Sequence, residues 1–395
     1  MADEELRRRE REAGDPQGIL AAASALLRAG QPHEALTTLL DVRRDPAVRR
    51  ELARFPAWTH ESAGPGITRQ VDALLPRRQP HVRWAVETGL EGPLLASPLG
   101  VVSGRCVLDP LDGEPLAALS APARCWSRDE LVIPTPGALR WLGPDLGEVR
   151  RELALEPGAE LLAVWEELVV LALERGQRIE AVRVPSTGAP EPCWERPRQV
   201  EEPHDLPSAI VLPDGVVVVR LTGSTLTGID LHGRSVFQRP GRWAAGDESG
   251  ILTLTAGRAV THHGAWEWEL LGSAGHSLCP VALGERAALV QTGWGIEAFA
   301  RRTGAHLGAI VKPCDASGGL LLARDVVVYW EGVSQRDGRT WSPGPPLIRA
   351  VTLAGETLWE LGPAALDDEG PRDAAAFGRW LYVRTDHGRV VCLEG

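Results

Sequence analysis

From residue 82 onward the chain alternates short apolar runs with turns marked by Gly and Pro, the signature of many short strands. The most apolar runs are Leu131-Val-Ile, Leu168-Val-Val-Leu-Ala-Leu, Val216-Val-Val-Val, Ile251-Leu-Thr-Leu, Ala288-Leu-Val, Val326-Val-Val-Tyr and Leu381-Tyr-Val. Unbroken β-branched runs of this length read as strands covered on both faces. A strand-to-Gly junction follows each of them, as in Leu226-Thr-Gly-Ile-Asp-Leu-His-Gly233 and Ile348-Arg-Ala-Val-Thr-Leu-Ala-Gly355. Eight such junctions end at Gly113, Gly147, Gly188, Gly233, Gly264, Gly304, Gly355 and Gly395, so the spacing runs from 31 to 51 residues. A period near 40 residues fits one four-stranded propeller blade. The pattern therefore predicts a mainly β fold, an eight-bladed β-propeller.

The ends of the pattern predict how the ring closes. The sequence stops at Gly395 after a third strand, and an orphan fourth-strand pattern, Val82-Arg-Trp-Ala-Val86, stands at the start of the repeats. It resembles Leu358-Trp-Glu-Leu and Trp266-Glu-Trp-Glu-Leu. Pairing it with the last sheet would remove an exposed edge. Two domains are expected: residues 1–80 as a helical segment and connector, and 81–395 as the propeller.

Within residues 1–80, 3–13 form a charged run. Ile19, Leu20, Ala23, Leu26 and Leu27 recur at helical spacing up to Gly30, Pro32 opens a second helix through Leu40 to Arg43, and a third covers Ala47–Arg54. Residues 56–80 read as a connector. The stretch Leu27-Leu-Arg-Ala-Gly-Gln-Pro-His-Glu-Ala-Leu resembles one tetratricopeptide unit, although a stable array needs about three. Either a helical hairpin packed on the propeller rim or a separate docking module would account for it.

Charge and cysteine content narrow the partners. Net charge is −11, with about +1 on residues 1–80, so the body is acidic and nucleic acid is a poor partner. No apolar run reaches the roughly 18 residues of a membrane span, and the charged start lacks a signal-peptide core. The six cysteines are scattered without a CxxC pair, which fits reduced thiols and a cytoplasmic location.

The strand–Gly turn–Trp pattern of Ala350-Val-Thr-Leu-Ala-Gly-Glu-Thr-Leu-Trp-Glu resembles the PQQ-like (quinoprotein-type) propeller repeat. Trp380-Leu-Tyr-Val-Arg-Thr-Asp-His-Gly-Arg-Val-Val-Cys-Leu matches its second and third strands. The resemblance covers residues 82–395, and WD40 repeats fit less well. Quinoprotein dehydrogenases hold their cofactor with adjacent cysteines and calcium-binding carboxylates, which this sequence lacks, so a non-catalytic member with no cofactor is expected. Intracellular propellers of this kind resemble partners of MoxR-type ATPases and von Willebrand factor A proteins, some in defence systems. Outer-membrane assembly factors use a similar propeller behind a lipoprotein signal.

Motifs for chemistry are sparse. His262 and His263 would point to opposite faces of a strand, so they cannot chelate one metal. There is no HExxH motif, Gly-x-Ser-x-Gly elbow or Walker loop. The tryptophans read as blade-packing anchors. Two candidates remain. The insert 332–346 lengthens one blade and offers Gln335, Arg336, Asp337, Arg339 and Trp341 as a partner-binding loop. Asp367, Asp368 and Glu369 form an acidic loop, either a solvated connection or a contact for a partner or cation. The reading is a non-enzymatic scaffold that binds protein. The alternative is a lyase or hydrolase using the central channel, which would need several titratable groups converging on the axis.

Overall fold

Runs of Val, Ile and Leu between turn glycines form the strands, and the computed structural model describes residues 16–43, 45–52, 70–71, 73–127, 129–199, 209–212, 214–223, 225–240, 244–247, 250–255, 258–261, 267–269, 279–292, 295–311, 319–331, 334–337, 340–343 and 347–395. Each sheet is an antiparallel meander. Its first strand packs beside the first strands of neighbouring sheets around a common axis, and its fourth strand lies at the rim. The second strands are the most buried, as in Leu168–Leu173 and Trp380–Thr385. This is a β-propeller.

The expectation of eight four-stranded blades is corrected. Seven sheets have four strands, covering 95–118, 125–154, 160–197, 209–240, 244–269, 279–311, and 371–394 completed by His81–Glu87. The sheet of residues 319–361 has five. Gln70–Val71 adds to it in parallel, with Gln70 opposite Leu322 and Val71 opposite Ala323. A two-residue strand carries no periodicity, so the sequence pattern reads it as connector.

The ring is sewn by strand His81–Glu87, which pairs antiparallel with Arg389–Glu394 in the register Trp84 opposite Cys392 and Val86 opposite Val390. Glu394 accepts hydrogen bonds from Arg83 (2.5 Å) and Arg379 (2.6 Å). Beyond the strand, Thr88 N donates to Gly388 O at 2.9 Å. Arg384 is fully buried and donates to Gly92 O (2.8 Å) and Asp373 (2.6 Å), tying the crossover into the next sheet.

Neighbouring sheets meet at tight joints. A rim-strand Trp lies on the turn glycine of the next sheet, Trp84 on Gly113 and Trp194 on Gly233, so a Cβ at either glycine would come within 3.0 Å of the indole side chain. At the joint between the 279–311 and 319–361 sheets, Gly308 and Gly355 let the two backbones touch. Side chains also bond across joints: Tyr382 OH donates to Pro110 O at 3.0 Å, and Trp330 Nε1 to Arg372 O at 3.0 Å.

The N-terminal segment forms α1 (Pro16–Arg28), α2 (Pro32–Leu40) and α3 (Pro46–Leu52). Gly30 ends α1 in the left-handed region, Pro32 opens α2, and Asp45 Oδ1 caps α3 by accepting from Ala47 N and Val48 N. Leu36, Leu39, Leu40, Val48 and Leu52 are buried in one core with Leu99, Phe377 and Trp380 of the ring. No helix among the described residues is long and apolar enough to cross a membrane.

Candidate functional face

Antiparallel meanders sort their connections onto two ends of the ring. Links between the first and second strands, and between the third and fourth, fall at one end. Links between the second and third strands, and between sheets, fall at the other. The register confirms this for the 319–361 sheet, where Ala323, Val326 and Thr352 share one end and Glu331, Leu347 and Leu361 the other.

The helices occupy the first end. Arg43 reaches Asp109 (2.6 Å) and Asp112 (2.7 Å) in the turn before the rim strand of the 95–118 sheet. Asp109 is buried, so this pair anchors α2 in a low-dielectric setting. Arg49 donates through Nε to Pro144 O at 2.9 Å and through Nη2 to Leu99 O at 3.3 Å, spanning two sheets. Burial lowers the pKa of Arg49, and the charges of Asp109 and Asp145 oppose that.

Both sequence candidates lie at the opposite end. The insert forms its own hairpin, Ser334–Asp337 paired with Thr340–Pro343, between the second and third strands of the 319–361 sheet. Gln335, Arg336 and Asp337 lie on its first strand, and Trp341 on its second, opposite Arg336. Arg339 lies outside the described residues, as do His262 and His263. The acidic loop follows rim strand Thr357–Leu361 of the same sheet and is anchored by buried Leu366. The fold therefore brings the two candidates to one sector of one face, which their separation in sequence does not reveal.

Around the acidic loop, Arg389 pairs with Asp367 and sits 3.6 Å from Glu369. The hydrogen bond to Asp367 raises the Arg389 pKa against the cost of burial, helped by the charges of Glu369 and Asp367. His387 Nδ1 is 3.5 Å from Glu369 and 3.8 Å from Asp386. Ligand atoms of Glu369, Asp386 and His387 lie within 4.8 Å of one another, and among the described residues these are the ones that could hold a cation. Asp368 extends from a backbone with φ 65° and is exposed. Sequence reasoning passed over Asp386 and His387 in a hairpin turn and Arg389 at the start of the strand after it, 17 or more residues from the acidic loop.

The channel alternative requires titratable groups that converge. Among first strands with described side chains, the carboxylate and guanidinium groups are Glu160, Arg372 and Asp373. Glu160 is separated from the other two by the 95–118 and 125–154 sheets, and Asp373 is held by Arg384.

No protein-family profile matches the chain, and no curated protein does. Solved structures do. The chain is similar to a computationally designed protein, Ika8, at 15% identity and a TM-score of 0.53, over 84% of this chain and all of that one. It is similar to BamB from Moraxella catarrhalis at 15% identity and a TM-score of 0.40, over 80% of this chain and all of that one. It is also similar to virginiamycin B lyase from Staphylococcus aureus at 14% identity and a TM-score of 0.42, over 67% of this chain and 91% of that one. At 15% identity, the likeness to Ika8 speaks for the fold alone.

Proposed function

We propose that this chain is a non-enzymatic scaffold of PQQ-like propeller type that binds a protein partner through the end of its ring opposite the helices. One observation carries the reading: the helices sit at one end, while the other gathers the hairpin Ser334–Asp337/Thr340–Pro343 and the 367–369 loop, which leave the same sheet. A rigid ring holding uneven loops on one face suits recognition of a macromolecule. Cys106, Cys125, Cys193 and Cys392 are free thiols, in keeping with a cytoplasmic setting.

The test is an affinity pull-down with the full chain and two variants, Arg336→Ala with Trp341→Ala, and Asp367→Ala with Asp368→Ala. The PQQ-like resemblance makes MoxR-type ATPases and von Willebrand factor A proteins the first partners to try. Capture by the wild type that either variant weakens supports the reading. Equal capture by all three, or turnover of a small molecule with no partner bound, overturns it.

A further inference from the structure

Residues 70–71 and 73–80, ahead of the closing strand, take a defined path. Gln70–Val71 pairs with the axial strand of the 319–361 sheet. Leu74 N donates to Gly378 O at 2.7 Å, at the inner turn of the last sheet. Pro76 O then accepts from the buried indole Nε1 of Trp359 at 2.7 Å, and Gln79 Nε2 donates to Glu360 O at 2.9 Å. Pro76 and Pro80 also pack against Gly395. Residues 70–71 and 73–80 thus form a strap that runs from the axis to the rim and passes directly into closing strand His81–Glu87.

The helices extend the same fastening. Through Arg43, Arg49 and the strap, the N-terminal segment holds four consecutive sheets: 319–361, 371–394, 95–118 and 125–154. The point of ring closure lies in the middle of the four. Helices, strap and these sheets share one hydrophobic core, whereas the sheets across the ring are joined by separate, smaller clusters. Strand His81–Glu87 cannot leave Arg389–Glu394 at its helical end without pulling on the strap.

We propose that the helices and strap form a lock on ring closure, so that the seam between His81–Glu87 and Arg389–Glu394 opens only when the helical cap undocks. The segment is then a conformational device of the ring and not an independent docking arm. The proposal does not depend on what the face opposite the helices binds.

Cys392 reports on the seam, because it is fully buried opposite Trp84 in the closing register. The experiment follows Cys392 alkylation and peptide hydrogen exchange of the wild-type chain in rising, sub-denaturing urea. Peptides from 32–40, from 73–87 and from 389–394 are expected to open at one urea concentration together with Cys392, while 168–183 stays protected. Opening of 32–40 at lower urea with no change at Cys392 overturns the lock. So does exposure of Cys392 while 32–40 stays protected. A full-length Arg43→Met, Arg49→Met variant gives the second readout. Its Cys392 alkylation should rise about tenfold or more as exchange at 32–40 rises. Faster exchange at 32–40 with unchanged Cys392 alkylation overturns the proposal.

Discussion

Replacing Gly355 by Ala tests how tightly the sheets of the ring are joined. Gly355 closes the turn before rim strand Thr357–Leu361, with its N donating to Thr352 O at 2.9 Å and φ at +83°. An L-residue in that left-handed region costs roughly 1–2 kcal/mol. The new Cβ would also lie 2.2 Å from Ala309 O on the neighbouring sheet. That atom belongs to a strand backbone, so relief requires the two sheets to separate, at roughly 1–3 kcal/mol for overpacking. The combined loss is about 2–5 kcal/mol. Gly137→Ala is the control: φ is +82° and nothing lies within 4 Å of the added carbon, so only the backbone term of roughly 1–2 kcal/mol remains. Urea unfolding followed by tryptophan fluorescence would compare the two, and hydrogen exchange at 306–311 and 352–357 would place the effect. Equal destabilisation by both substitutions would refute the claim that backbone contact limits the joint.

Two further outcomes follow from the buried and charged groups at the seam and beyond it. Burial pushes the Glu394 carboxyl up, but the hydrogen bond from Arg83 and the charges of Arg379, Arg83 and His81 outweigh it and hold the group below its ordinary value. Its stabilisation is therefore present above the usual carboxylate range and disappears as pH falls through the lowered value. The difference in urea midpoint between wild type and Glu394→Gln should be clear at pH 7 and shrink as pH falls below the usual carboxylate range; a difference that stays constant on acidification would contradict this. Burial also pushes the Cys125 thiol up to about 12, against the charge of Arg124, and raises Cys392 further. At pH 8 in the native protein, alkylation mapped by mass spectrometry should reach half-buried Cys106 well before Cys125 or Cys392, and comparable rates would show that these strands are not closed.

What could be read from the sequence was whatever repeats or carries a period. The strand–Gly spacing gives the propeller, and the orphan Val82–Val86 pattern finds its partner in Arg389–Glu394. The helical stripe of Ile19, Leu20, Ala23, Leu26 and Leu27 marks α1 within two residues of its start. The strap was not legible, because Gln70–Val71 is too short to show alternation and its partners Leu322 and Ala323 are about 250 residues away. Arg384 looks like any charged strand residue, and only the fold shows that it is buried on the carbonyl of Gly92. At the end opposite the helices the sequence supplied the two loops. Their placement at one end depends on the insert leaving the second strand and the acidic loop leaving the fourth strand of one sheet, which is a property of the meander and not of either segment.

The pairing of the first long strand with the last has a consequence for synthesis. Arg83 and Glu394 are 311 residues apart, so at ribosomal speeds of about 5–20 residues per second the partner of His81–Glu87 emerges roughly 15–60 s later. Throughout that interval the nascent chain carries a strand with a valine-bearing edge and nothing beside it. Before the final strand is made, any newly made neighbour with a similar free edge competes for the same hydrogen bonds. Crowding of several ribosomes on one message would favour that exchange between chains.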